Sequence, residues 1–160
     1  MKQKTLARLI MSAIIGVAIC LIVAYAFIIP AFAEHLGSSF GGEFAPLKKP
    51  WLIFVSITAL PLFAMLVLAF IIAVNISRDR SFIMQNAKLL AAMSLLAAAD
   101  TAYFFIGNVV LLLLNMNHPG IFLFDMLVCF LGLAVTLICA ALSHYARKAA
   151  EMKADAELTI

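Results

Sequence analysis

Charged side chains are scarce in this sequence. Of its 160 residues only 12% are charged, whereas 66% are hydrophobic, and the mean hydropathy is +1.15. A soluble domain carries about 25% charged and 45–50% apolar residues, so the surplus apolar side chains would have no interior to fill. The composition therefore excludes an ordinary soluble domain and indicates a surface that contacts lipid.

The signatures of common catalytic sites are also missing. Gly41 and Gly42 lack the Lys-Ser/Thr pair and the soluble helix that complete a phosphate-binding loop. Neither a nucleophile elbow nor a zinc-protease helix is present. We therefore predict that the chain is not an enzyme and needs no cofactor.

Cysteine is rare, and no ligand spacing indicates a metal site. The three cysteines lie inside apolar runs and have no partner in a polar loop, so a disulfide framework is not expected. The histidines and carboxylates of the predicted external side show no ligand motif: they are His35, His118, Glu34 and Glu43. We predict no metal site.

Four long apolar runs are present, at about residues 9–29, 52–74, 89–114 and 121–143. The first has 21 residues and would measure about 31 Å as a helix, close to the hydrocarbon core of about 30 Å. The short stretch 115–120, NMNHPG, is rich in turn formers and makes the last two spans antiparallel neighbours. We predict an all-α fold: one domain, 1–160, forming an integral membrane four-helix bundle of two transmembrane hairpins.

Two local features bear on the first half. Ala31-Phe32-Ala33 follows a charged start, as in a cleavable signal peptide, but the apolar part of a signal peptide has only about 7–15 residues. We favour a retained span, while cleavage of residues 1–33 stays open. Pro61 frees the carbonyl of Ile57 and predicts a kink in the second span. The glycines and prolines of residues 34–50 favour turns.

Basic residues are distributed unequally between the two sides. The amino terminus, the central loop 75–88 and the tail 144–160 together carry nine Lys and Arg residues, and the external connection carries two. Cytoplasmic segments of membrane proteins are enriched in such residues. We therefore predict a multi-pass protein of the cytoplasmic membrane with both termini and the central loop inside.

The central loop divides the chain into its two halves. Ser81 is a candidate N-cap, and a helix starting there would place Phe82, Asn86, Leu89, Leu90 and Met93 near one face. Basic side chains at the anionic inner surface contribute about 1 kcal/mol each. The loop is interpreted either as a short interfacial helix joining two hairpins or as a docking surface for a cytoplasmic partner.

The loop and the tail together carry a family resemblance. Phe82, Asn86 and Leu90 have the spacing of a loop motif, with Ile83 where a hydroxyl residue is usual, and the chain ends in Glu157-Leu158-Thr159-Ile160. With four similarly placed spans, the chain resembles the bacterial four-helix membrane family of domain of unknown function 2975 (DUF2975).

Members of that family are often found beside small helix-turn-helix regulators, so the resemblance implies a regulatory pairing with such a protein and no biochemical activity. Direct binding of nucleic acid by this chain is not expected. The candidate cytoplasmic contact residues are Arg78, Arg80, Phe82, Asn86, Glu157, Leu158, Thr159 and Ile160.

Asp100 is the most informative residue inside a span. It lies near the predicted midplane, where a charge costs about 2.5–3.5 kcal/mol, and no Lys, Arg or His occurs in the four runs. A buried carboxyl without a cation is favoured in its neutral form. We predict that Asp100 faces the bundle interior and hydrogen-bonds across it.

Two further polar residues lie within the spans. Asp125 is near the depth of Asn108, which predicts a hydrogen bond between them or contact with external water. Small residues recur at every fourth position, a pattern that allows close helix approach: Ser12, Gly16, Cys20 and Ala24 on the first span, and Gly132, Thr136 and Ala140 on the fourth.

Two functions of different classes are consistent with these features. The first is an interaction or regulatory protein that uses its cytoplasmic loop and tail. The second is a small transporter or channel subunit with Asp100 as a proton-linked site, for which a homo-oligomer is expected because four spans seldom form a conduit alone. In both cases the lipid bilayer is the principal surrounding.

Overall fold

The computed structural model describes residues 3–39, 48–115, 117 and 119–158, and their regular structure is entirely helical. The helices are α1 (Gln3–Val23), α2 (Ile29–Ser39), α3 (Lys48–Ile57), α4 (Ala59–Ser77), α5 (Met84–Leu113) and α6 (Pro119–Leu158), with a π-helical turn, Ala24–Ile28, joining α1 to α2. The predicted all-α class is confirmed.

Four helical stretches are long and apolar enough to cross a membrane: Gln3–His35, Lys48–Ser77, Met84–Leu113 and Pro119–Ala156. Their outward faces are apolar and exposed: Leu60 is 73% exposed, Leu113 76% and Phe130 70%. Such continuous apolar surface is uncommon on soluble monomers and suits contact with lipid. The four apolar helices expected from the sequence are therefore present.

Each span packs against the next span along the chain. Helix α1 contacts α4, α4 contacts α5, and α5 contacts α6, the last of these being the most extensive contact. Gly132 of α6 permits the last contact, because a Cβ there would overlap Thr101 Oγ1 of α5. The Ser94 hydroxyl donates to the Thr136 carbonyl at 3.0 Å. Gly132 and Thr136 thus belong to the close interface that their spacing predicted, whereas Ala140 is exposed.

The small-residue stripe predicted for the first span does not pack. Ser12 and Cys20 are exposed, and a Cβ built on Gly16 meets nothing within 4 Å. The packed side of α1 instead includes the fully buried Ala7. A repeat of small residues marks a face that could pack closely, but it does not determine which face meets a neighbour.

Prolines interrupt both of the first two spans. Pro30 follows the π-helical turn, in which the Ile29 N–H donates to the Ala24 carbonyl five residues earlier; widening this turn accommodates a ring that would otherwise clash with the carbonyl of Ala26. Pro61 lies in the first turn of α4, and the helix breaks at Thr58 just before it. The kink predicted for the second span corresponds to this interruption of the helix at Thr58.

The polar connections differ from the predictions in two places. Residues 34–39 and 48–50 of the predicted turn region are helical, as the ends of α2 and α3. Ser81 is not an N-cap: α5 begins at Met84 after an extended Ile83 without a side-chain cap. The loop therefore contains no separate interfacial helix, and residues 84–88 form the first turns of α5.

Candidate functional site

All four spans border one cavity of about 690 Å³, which is partly open at the surface. Its wall is mostly apolar and includes five aromatic side chains, those of Tyr25, Phe32, Trp51, Phe104 and Phe124. Two carboxyl side chains, Asp100 of α5 and Asp125 of α6, also line it, and its described lining contains no Lys, Arg or His. A cavity of this size with a few convergent polar groups is typical of a small-molecule site.

Two hydroxyl groups in the cavity wall join the first two spans, those of Tyr25 and Thr58. The Thr58 hydroxyl donates to the Val55 carbonyl at 2.7 Å. Since a hydroxyl carries a single hydrogen, the bond between Tyr25 Oη and Thr58 Oγ1 has Tyr25 as its donor. Both residues stand at backbone irregularities, Tyr25 in the π-helical turn and Thr58 at the helix break.

Asp100 lies near the middle of α5 and lines this cavity, so it faces the bundle interior as predicted. The predicted cross-bundle hydrogen bond is absent: no hydrogen bond joins the Asp100 carboxyl group to a residue that the structure describes. Tyr25 and Tyr103 are two tyrosines near Asp100. Tyr103 donates to the Phe54 carbonyl at 3.2 Å, so its hydrogen is already engaged.

Asp125 belongs to a buried polar cluster with Asn108 and Asn117. The exposed fractions are 6% for Asp125, 0% for Asn108 and 6% for Asn117. The Asn117 amide donates to Asn108 Oδ1 at 3.0 Å and also hydrogen-bonds the Asp125 carboxyl, while Asn108 Nδ2 donates to the Phe104 carbonyl at 2.9 Å. Asn117 therefore links the two residues for which a direct bond or external water was predicted.

At the other end of the bundle, Asn86 organises the loop. It is 3% exposed; its Oδ1 accepts from Asn75 Nδ2 at 2.7 Å, and its Nδ2 donates to the carbonyls of Arg80 and Ser81, each at 2.9 Å. Asp79 adopts a positive φ of 59° within this turn. Asn86 was predicted as a partner contact, but its amide is used entirely inside the loop.

The other contact candidates in the loop are accessible. Arg78 and Arg80 are exposed, and Phe82 is 58% exposed. In the tail, Glu157 and Leu158 complete α6, whereas Thr159 and Ile160 lie outside the described residues. The loop thus presents two cations and an uncovered aromatic ring.

Three chain segments meet at this end. Gln3 Nε2 donates to the Ser81 hydroxyl at 2.6 Å, and the Ser143 hydroxyl donates to the Ala87 carbonyl at 2.8 Å. We call residues 3–8, 78–88 and 144–158 the basic end, because they carry eight Lys and Arg residues against four Asp and Glu residues.

In the part of the chain that the structure describes there is neither a cluster of metal-binding side chains nor a disulfide bond. No group of three or more His, Cys, Asp or Glu there could hold a metal ion, and the three cysteines are free. Glu34 pairs with Lys48 at 2.6 Å. His118 and Glu43, considered with it above, lie outside the described residues.

The sequence reasoning missed Tyr25, Thr58 and Asn117 as parts of these sites. Pro30 was the available signal for Tyr25, since a proline inside an apolar run disturbs the turn before it. Thr58 follows the carbonyl that Pro61 was expected to free. Asn117 gave no signal of its own, because an asparagine in a turn is ordinarily there for its backbone conformation.

Comparison with known proteins gives one result. The family described as "Protein of unknown function (DUF2975)" matches residues 38–160, which include the last three spans, the central loop and the tail. No curated protein and no solved structure matches the chain. Since the match covers most of the sequence and agrees with the loop and tail resemblance, the chain belongs to the DUF2975 family.

Proposed function

We propose that this chain is a regulatory or interaction protein of the cytoplasmic membrane, arranged as two transmembrane hairpins, whose basic end lies in the cytoplasm and binds a protein partner there. The family resemblance suggests a small helix-turn-helix regulator as that partner. Docking would hold the regulator at the membrane. No catalytic step is part of this proposal.

The observation that carries the proposal is the meeting of amino terminus, loop and tail at one end. The hydrogen bonds Gln3–Ser81 and Ser143–Ala87 join these segments, and α6 continues 15 residues beyond Ser143 to Leu158. At about 1.5 Å per residue this extension reaches about 22 Å, far enough to present a helical surface beside the loop. The excess of basic residues supports a cytoplasmic location for this end.

The sidedness can be tested with single cysteines, the native three being replaced by serine or alanine. Arg78→Cys in the basic end is expected to react with a membrane-impermeant maleimide only after permeabilisation of the cytoplasmic membrane. Lys49→Cys, exposed at the opposite end, is the matched control and should react without it. The reverse pattern would contradict the proposed orientation.

Partner binding can be tested by photocrosslinking in cells of the source organism. A benzophenone amino acid at Phe82 or at Tyr145, which is 68% exposed on α6, is expected to capture the same cytoplasmic protein from both positions. Phe130, 70% exposed within a span, serves as the control and should yield no such adduct. The captured protein, once purified, should bind the wild-type chain and lose most of that binding when Arg78 and Arg80 are both replaced by Glu. Equal binding by this variant would contradict the proposal.

The cavity favours a second candidate function, a small oligomeric transporter or channel subunit that uses Asp100 as a proton-linked site. A pH-dependent flux in proteoliposomes that disappears in Asp100→Asn would support it. If Asp100→Asn instead leaves both flux and partner binding unchanged, the regulatory proposal is favoured.

A further inference from the structure

The cavity combines aromatic walls with two carboxyl side chains, whose ionised form a bound cation would favour. Five aromatic side chains and two carboxyl groups line it, and its described lining includes no cationic side chain. Aromatic faces attract organic cations, an effect that grows when the cation is desolvated. Anionic ligands would meet Asp100 and Asp125 without a compensating charge, so the chemistry of the wall selects against them.

The two carboxyl groups are not equivalent. Asp125 is 6% exposed and is engaged by the Asn117 amide. Asp100, in contrast, has no hydrogen-bond partner among the described residues and sits half-buried in the wall. Asp100 is therefore the carboxyl whose interactions remain for a ligand to satisfy.

The first two spans have irregular backbone where they line the cavity that contains Asp100. The π-helical turn carrying Tyr25 and the helix break at Thr58 come together through their hydroxyl groups. Isolated π-helical turns occur frequently at functional sites because they reposition side chains out of regular register. Here the two irregularities place a hydroxyl pair in the cavity that also contains Asp100.

We propose that this cavity binds an amphiphilic organic cation, an amine or a quaternary onium ion with apolar arms, with its charge against Asp100 and its arms among the aromatic side chains. The volume of about 690 Å³ lies within the range of about 300–1,000 Å³ that accommodates drug-sized ligands. This site is separate in space from the partner surface at the basic end.

The probe is tetraphenylphosphonium, and Trp51 supplies the signal. Trp51 is the only tryptophan of the chain and lines the cavity, so ligand binding should change its fluorescence saturably in the full-length protein held in detergent micelles. Equilibrium dialysis with the radiolabelled cation provides the stoichiometry. Tetraphenylborate, of the same shape and opposite charge, is the ligand control and should not bind saturably.

Three variants test the assignment. Asp100→Asn keeps the side-chain shape and is expected to weaken binding of the cation about tenfold or more, since a desolvated charge pair is lost. Asp79→Asn, in the exposed loop, should leave affinity unchanged, and asparagine tolerates the positive φ found there. Val128→Phe retains Asp100 but fills part of the cavity, and it should also weaken binding; because Val128 is 39% exposed, this variant is expected to fold.

Equal affinity of Asp100→Asn and wild type, saturable binding of both phenylated ions, or no saturable binding of the cation would each overturn the proposal. The first two results would mean an apolar cavity that does not distinguish charge. Crosslinking from Phe82 in the Asp100→Asn variant keeps the two proposals separable, since it reports on the basic end alone.

Discussion

Gly132→Ala is expected to destabilise the fold by about 1–3 kcal/mol, the usual cost of overpacking a close contact. The new Cβ would overlap Thr101 Oγ1, and the Thr101 Cβ and Cγ2 each lie only 3.3 Å from its position. Rotating the threonine exchanges one of these atoms for another, so α5 and α6 must separate instead. The shift in thermal unfolding of the detergent-solubilised protein measures the effect.

Gly16→Ala is the matched control, since it makes the same substitution in a spanning helix with nothing within 4 Å of the new atom. Both alanines gain the same helix propensity, up to about 1 kcal/mol, so the difference between the variants isolates the steric effect. Adding Thr101→Ala to Gly132→Ala should recover part of the loss. If the two glycine variants unfold alike, α5 and α6 do not approach each other at Gly132 as described.

Asn86→Ala is expected to remove the hydrogen bonds that hold the loop between α4 and α5, and to lower the free energy of unfolding by about 2–4 kcal/mol. The substitution removes one acceptor and two donors, and it leaves the half-buried amide of Asn75 and the carbonyls of Arg80 and Ser81 without these partners. An unsatisfied buried group costs about 1–3 kcal/mol, and these three groups are only partly buried, so the total stays below the full sum. Hydrogen exchange of residues 78–86 and the unfolding temperature are the measurements.

Gln85→Ala serves as the control, because Gln85 is the exposed neighbour of Asn86 and should change stability by less than about 0.5 kcal/mol. Asn86→Asp adds a chemical test. It keeps an acceptor for Asn75 but turns a carboxylate oxygen toward two carbonyls, so it should be no more stable than Asn86→Ala. Wild-type exchange rates in either Asn86 variant would contradict the role assigned to this amide.

The helices could be predicted from sequence because lipid offers no hydrogen-bond partners to the backbone. A long apolar segment that crosses lipid alone can satisfy its backbone groups by forming a helix, and the described chain has four helical stretches long and apolar enough to span a membrane. The break near Pro61 followed from the missing N–H of that residue. The π-helical turn has the same origin at Pro30, but the motif Ala31-Phe32-Ala33 directed attention to cleavage instead.

The site was less accessible from sequence because it depends on which faces meet. Asp100 was identified by its cost in lipid, and its inward direction followed from that cost. Its neighbours could not be inferred, since Tyr25 and Thr58 come from two other spans and are 75 and 42 positions away in the chain. The Ser81 prediction failed because Asn86 supplies the local hydrogen bonds from inside the helix and Ile83, the residue just before the helix, is extended.

The uninterrupted course of α6 links two remote places mechanically. This helix runs from Pro119 to Leu158 without a break, and it carries Asp125 in the cavity wall near one extremity and the tail at the other. The separation from Asp125 to Leu158 is about 50 Å along the axis, so a tilt of about 5° pivoting at the cavity would carry the tail through about 4 Å. Over this length, a small tilt at the cavity becomes a displacement of the tail comparable to the length of a side chain.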